Sequence, residues 1–503
     1  MDHEKESEKK IVQNGLNDKT SEFSPDSHHD PFWRQAFVCC GTFMLTMSAG
    51  STAGFPAILI PQLQHAKGYH KYSTDIVSWI ASMAPLALVF GNILSGYLME
   101  KLGRRKSQLA LGVAFMCGWA IIGFSNELLP LILIGRFITG FCQGWLGPLG
   151  PVFVGEISSP AHRGLFLASL SFAIACGVFM SHLFGTFFSW NIAALLCGSF
   201  SMVGFAIIFY ASESPSWLAS KNNIEDCIKS FQWYRGTNIK MEAELNRIIL
   251  EQSRKDHTQS KLEALAVNIK KSEFWKPLFI MMIFFVITQL SGINVICVYT
   301  TEMLKELVGN YSNNSTMSAA MLSIDILRCI SLIIACYILK KSGRRPLALL
   351  SGTFTAVSLI FLAIYLYLVG IQTIRNFSPI PSLGLLAFYI VVSNLGIGPL
   401  PWNMVGEVFA PETKGLGSGI SVMMTSIAFF VTIKSAPFMF ESLGHHGTYL
   451  FYGLSTLLGT IFLFFYLPET KGKTLLEIKD YFSHGKEQNN LTKIPKPVHK
   501  SLA

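Results

Sequence analysis

Stretches of about twenty residues that are apolar on every side, separated by short polar breaks, dominate the chain, and that is the length a helix needs to cross the hydrocarbon of a bilayer. They run over 36–60, 76–98, 107–125, 128–154, 165–187, 190–211, 277–300, 317–339, 347–369, 383–407, 416–440 and 447–467. A helix hydrophobic all round is buried in lipid or in a large core, so the pattern predicts an all-α membrane protein with twelve spans. Polar runs set the divisions: an N-terminal tail at 1–33, six spans over 34–211, a linker at 212–276, six spans over 277–467 and a tail at 468–503. The linker is expected to hold helices near 216–234 and 241–271, with Ser214 as N-cap and Pro215 in the first turn.

The two halves share a repeat. "GRR" occurs at 103–105 and again at 343–345; "GEISSPAHRG" puts Glu156 seven residues before Arg163, and "GEVFAPETKG" puts Glu407 seven residues before Lys414. Such self-similarity marks a duplicated unit, here two pseudo-symmetric six-helix bundles. Helix C-termini attract cations and N-termini attract anions. Arg and Glu at this spacing are therefore expected to pair at the helix ends and latch the two halves together.

Composition agrees: 50% of the 503 residues are hydrophobic, 14% are charged and mean hydropathy is +0.42, which excludes a soluble globular chain. The formal charge of +9 falls on loops and tails, which fits anionic lipid rather than nucleic acid. Cytoplasmic loops keep the Lys and Arg excess. Lys101, Arg104, Arg105 and Lys106, with Lys340, Lys341, Arg344 and Arg345, therefore place the 2–3 and 8–9 loops and both termini in the cytoplasm. Residues 1–31 lack an apolar core, so the first span is expected to act as its own insertion signal. Sequons at Asn310, Asn313, Asn314 and Asn376 fall in loops expected outside, where glycosylation occurs. The ten cysteines sit mostly within spans, so no structural disulfide is expected. No nucleophile–base pair, metal-ligand spacing or phosphate loop points to an enzyme or a cofactor.

An ordered set of motifs carries a resemblance: "GRR" at 103, "GRFITGF" at 135, "PVFVGEISSPAHRG" at 151, "SESPSWL" at 212, "QLSGIN" at 289, "GRR" at 343, "GPLPW" at 398 and "PETKGKTL" at 468. From about 34 to 482 the chain resembles the sugar porters of the major facilitator superfamily, the group containing glucose and insect trehalose transporters. The resemblance implies a midplane sugar site opened alternately to each side. It puts Gln289 and Asn294 where relatives hydrogen-bond sugar hydroxyls, Trp402 where an indole stacks under the ring, and Tyr299 at an outer gate. Pro399 and Pro401 around Trp402 interrupt helical hydrogen bonding and suit a hinge. Glu100, Arg104, Arg105, Arg136, Glu156, Arg163, Arg344, Arg345, Glu407 and Lys414 make up the expected cytoplasmic charge latch.

Departures from the family pattern fall in the pocket. Thr288 stands where many relatives have a second Gln, Ser171 where a sugar-binding Gln is usual, Asn394 where many carry Glu, and Arg328 where an Asn is common. At the cytoplasmic end, Glu100 replaces Asp and Lys414 replaces Arg. A cation within a span is costly unless paired or wet; Asp325 lies three residues earlier on the same helix face and can pair with Arg328. The first span carries no carboxylate, and Thr52 lies near the position where proton symporters of the family carry Asp. Facilitated diffusion of a hexose or disaccharide across the plasma membrane, by a monomer, is the expected function. A non-transporting sugar sensor and a carrier of an anionic sugar-like solute stand as alternatives.

Overall fold

Short polar or Gly/Pro breaks stop one apolar helix and start the next, and the computed structural model follows that pattern. It describes residues 31–65, 72–236, 244–246, 249, 269, 272–309, 314–373, 378–409, 413–473, 477–478 and 481–482, and among these no strand occurs. The first half comprises α1 (Pro31–Gly54), α2 (Pro56–His65), α3 (Thr74–Leu102), α4 (Arg104–Gly123), α5 (Leu129–Ile157), α6 (Arg163–Phe187) and α7 (Trp190–Phe209). The linker holds α8 (Pro215–Ser220) and α9 (Ile224–Arg235). Ser214 does cap α8, accepting from the Trp217 amide, with Pro215 in the first turn; most of the helix expected over 241–271 lies outside the described residues.

The second half comprises α10 (Ser272–Leu290), α11 (Ile293–Val298), α12 (Thr300–Val308), α13 (Asn314–Lys341), α14 (Arg344–Gly370), α15 (Pro379–Leu395), α16 (Leu400–Val408) and α17 (Lys414–Tyr466). Eleven helical segments among the described residues are long and apolar enough to cross a bilayer. The last, of 52 residues, is about twice the length one crossing needs and bends at Gly444, where φ is 68°. Twelve crossings result, the architecture of the major facilitator fold.

Two of the spans are discontinuous, each for a local reason. The seventh stops after Leu290 because Gly292 adopts a left-handed φ of 78°, a conformation that is cheap only for glycine. The tenth breaks over 396–399, where Pro399 and Pro401 cannot donate to the preceding turn. The freed Ile397 amide is satisfied by the Ser351 hydroxyl of α14 at 2.8 Å.

Helices within each half pack through small residues, as expected where lipid supplies no hydrophobic contrast. At Gly177 of α6 an added Cβ would lie 2.1 Å from the Met47 carbonyl of α1, so the two backbones touch there. Trp119, fully buried in α4, donates to Ser48 of α1 at 2.9 Å. The halves meet along α3 against α17 and α6 against α13.

Candidate functional site

The break in the seventh span turns polar groups toward one another. Asn294 of α11 donates to the Gln289 side-chain carbonyl of α10 at 2.7 Å, and Gln289 donates to the Thr425 hydroxyl of α17 at 3.1 Å. One helical turn before Gln289, on the same face, Phe285 meets the Trp402 ring of α16 edge-on, 5.1 Å between centroids. Trp402 is 52% exposed while Phe285 is fully buried, so the indole stands free on one side and anchored on the other. Amide donors and acceptors beside an aromatic face suit a solute with hydroxyls on one side and C–H groups on another.

Other expected pocket residues are placed differently. Thr288 gives its hydroxyl to the Phe284 and Ile397 carbonyls, both at 3.0 Å, and so braces the break of the tenth span instead of facing a solute. Asn394 is buried and donates to Ile390 of its own helix at 2.8 Å, so it is not joined to the Gln289 pair. Ser171 of α6 is exposed. Arg328 is buried and donates to Asp325 at 3.1 Å, the pairing its spacing suggested. Tyr299 lies at the junction of α11 and α12, buried, with its hydroxyl donating to the Ile433 carbonyl of α17 at 3.1 Å. Pro399 and Pro401 flank the start of α16.

At the ends bearing the "GRR" clusters the two halves repeat each other bond for bond. Arg104 pairs with Glu156 at 2.9 Å, and Arg344 pairs with Glu407 at 2.8 Å. Arg105 reaches the Phe209 carbonyl at the end of α7, and Arg345 the Phe464 carbonyl near the end of α17, each at 2.5 Å. Ser214 donates to Glu156 at 2.5 Å, as Thr470 does to Glu407 at 2.6 Å. Glu213 accepts from the Arg104 and Arg105 amides at the start of α4, and Glu469 from the Arg344 and Arg345 amides at the start of α14. Partial burial raises the Glu469 pKa, but hydrogen bonds from the Lys471, Arg344, Arg345 and Thr470 amides outweigh it and hold the carboxyl below its ordinary value.

These networks correct the latch as the sequence suggested it. Each ion pair lies within its own half, Arg104–Glu156 in the first and Arg344–Glu407 in the second, so they brace each bundle and do not tie the bundles together. Arg136 does not belong to them: it sits twenty residues before Glu156 on α5, about 30 Å away along the axis. There it is buried and donates to the Thr52, Ile80 and Ala81 carbonyls at 2.6, 3.3 and 3.4 Å. Arg163 turns back to the Ser158 carbonyl at 3.4 Å. Glu100 is exposed and its backbone carbonyl accepts from Trp217. The Lys414 side chain lies outside the described residues, as do Asn310, Asn313 and Asn376; Asn314 begins α13. All ten cysteines are free.

Among the described residues, the polar contacts between the halves run instead from the middle to the opposite end. Asn92 of α3 donates to Ser426 of α17 at 2.8 Å. Lys434 of α17 bonds Asp75 at 2.9 Å and Ser78 at 2.7 Å and lies 4.0 Å over the Trp79 ring. Thr74 donates to Glu441, and Thr301 of α12 to the Ala57 carbonyl of α2 at 2.7 Å. His182 of α6 faces Asp325 of α13 at 2.5 Å. Reasoning from sequence did not single out His182 or Lys434, although an ionisable side chain inside an apolar span was the available signal.

A family model described as "Sugar (and other) transporter" matches residues 36–482. The chain is 28% identical over 450 residues to the facilitated trehalose transporter Tret1 of Apis mellifera ligustica, covering 89% of this chain and 87% of that protein. It is also 28% identical to Tret1 of Drosophila grimshawi, covering 92% of this chain but only 49% of that longer protein. Its fold is similar to the inward-open xylose transporter XylE from E. coli, with a TM-score of 0.72 at 18% identity over 90% of this chain and 99% of that one. A multi-pass helical chain in two repeating halves, with an amide and indole cluster at its broken helices and a family match over most of its length, is a transporter: it belongs to the sugar porter family of the major facilitator superfamily.

Proposed function

We propose that this protein is a facilitative carrier that moves a neutral hexose or disaccharide across the plasma membrane as a monomer, with both termini and the "GRR" clusters on the cytoplasmic side. The observation that carries it is the Gln289–Asn294 amide pair one helical turn from the Phe285–Trp402 aromatic contact. Repeated bundles rock about such a midplane site, and the broken seventh and tenth spans supply the bending points. The trehalose specificity in the names of its relatives makes a disaccharide the first substrate to try.

Two further features favour this reading. Arg328 is buried and its guanidinium is engaged by Asp325, which places it in a side-chain cluster of its own helix and not on the Gln289–Asn294 pair where a solute would bind. The first span offers no carboxylate as a proton carrier, and the Thr52 hydroxyl bonds only back to the Ser48 carbonyl at 3.1 Å. The cytoplasmic ion pairs keep each bundle rigid as it moves. Uptake of radiolabelled trehalose, glucose and fructose into proteoliposomes tests the proposal: saturable entry that stops at equal concentrations, with or without an imposed proton gradient, is expected. Accumulation above equilibrium driven by protons, or no flux of any sugar, overturns it.

A further inference from the structure

We propose that His182 and Asp325 form a proton-binding site at the seam between the halves, filled when the end opposite the "GRR" clusters is shut and emptied when that end opens. The inference rests on the rocking motion of the proposed function but not on the identity of the sugar. His182 Nε2 lies 3.1 Å from the Gly54 carbonyl oxygen, an atom that only accepts, and Nδ1 lies 2.5 Å from Asp325 Oδ2. The first nitrogen must carry a hydrogen, and the second contact needs a proton between its two atoms, since lone pairs facing at that distance repel. The pair therefore holds one proton more than a neutral imidazole beside a carboxylate, whichever atom bears it.

Neither side chain touches solvent here, with exposures of 0% and 1%, and the proton bridges residues 143 positions apart in different halves. Arg328 donates to the other carboxylate oxygen, Oδ1, at 3.1 Å. Around the cluster, Cys329 comes from α13, Cys297 from α11, Tyr389 from α15 and Cys176 from α6 itself, while α1 presents the Gly54 carbonyl. Thiols and phenols are neutral at physiological pH, so among the described residues named here Arg328 is the one fixed charge on the pair.

His182 is five residues from the end of α6, about 7.5 Å along the axis from its last residue, Phe187. Parting that end of α6 from α13 breaks the pair and wets both groups. Separated and wetted, the two groups lose the mutual contact that held the shared proton, so it leaves to water more readily. Closing thus takes up a proton at neutral pH and opening returns it to the same compartment, so no proton crosses and the carrier remains a uniporter. A proton bound only when shut favours the shut state at low pH, and that advantage fades as pH rises, by at most about tenfold in the open-to-shut ratio per pH unit.

The test measures distance, not flux. Spin labels at Phe187→Cys and Ser315→Cys, on exposed positions at the ends of α6 and α13, are read in the full chain in nanodiscs, with exposed Cys40 and Cys117 replaced by Ser and no sugar present. Between about pH 5.5 and 8.5, where His changes charge, the population at long distance is expected to grow with pH in the otherwise native protein. That response is expected to vanish in His182→Gln and in Asp325→Asn, either of which suffices if the other does not fold. A distance distribution that ignores pH in the native protein, or a response that persists in either variant, overturns the proposal. Failure of sugar uptake alone leaves this readout untouched and bears on the proposed function instead.

Discussion

Asn294 reaches back across the Gly292 turn to bond Gln289 at 2.7 Å, and Gln289 passes the connection on to Thr425 of the eleventh span. The two amides are thus a preassembled unit. A hydrogen bond contributes about 0.5–1.5 kcal/mol net, so Gln289→Ala is expected to raise KM for the transported sugar by roughly two- to twelvefold. Because the residues act together, the double variant with Asn294→Ala should cost less than the product of the two single effects. Initial rates against sugar concentration in proteoliposomes check both statements.

Trp402 is held at its edge by Phe285 and left open on its other side. An aromatic face under a sugar ring tolerates a smaller ring better than no ring. Trp402→Phe is expected to keep most of the uptake, whereas Trp402→Ala should lower apparent affinity by roughly two- to twelvefold, in line with about 0.5–1.5 kcal/mol for an aromatic contact beyond its buried area. Equal loss in both variants would argue that the indole only packs.

Glu469 accepts from the Arg344, Arg345 and Lys471 amides at 2.8, 3.1 and 2.9 Å, and these bonds hold its carboxyl below its usual value. A depressed acid stabilises the fold above its unfolded pKa of about 4.3 and loses that contribution as pH falls through the lower folded value. The detergent-solubilised protein is expected to melt at lower temperature on acidification from about pH 5 downward. Glu469→Gln should lower the melting temperature at neutral pH and weaken the acid dependence, measured by thermal unfolding across pH.

At Gly177 a methyl group would strike the Met47 carbonyl at 2.1 Å, whereas at Gly96 it would meet nothing within 4 Å. Gly177→Val is expected to destabilise by at least the roughly 1–3 kcal/mol of an overpacked core, with Gly96→Val as the tolerated control. Melting temperature and monodispersity on size exclusion separate the two.

Much of this was legible along the chain. Apolar length marked the spans, Pro399 and Pro401 marked the broken tenth helix, and the repeated "GRR" and Glu motifs marked the paired halves, whereas the break of the seventh at Gly292 emerged only in the structure. The partnership of Arg104 with Glu156 and of Arg344 with Glu407 was foreseeable because helix ends sort charge. That each pair would stay inside its own half was not, since spacing says nothing about which bundle a loop faces. Arg136 was misplaced for a related reason: it shares a motif type with the clusters but sits at the far end of its helix, where backbone carbonyls satisfy it.

By itself the sequence determined the helices, the proline break of the tenth span and the duplication, because these depend on local hydropathy, φ preference and composition. Only the tertiary structure decided that Thr288 braces a hinge, that Asn394 folds back on its own helix, and that His182 meets Asp325 from the other half. Contacts between residues more than a hundred positions apart depend on the rotation and tilt of packed helices, which many side chains set collectively and no local pattern records.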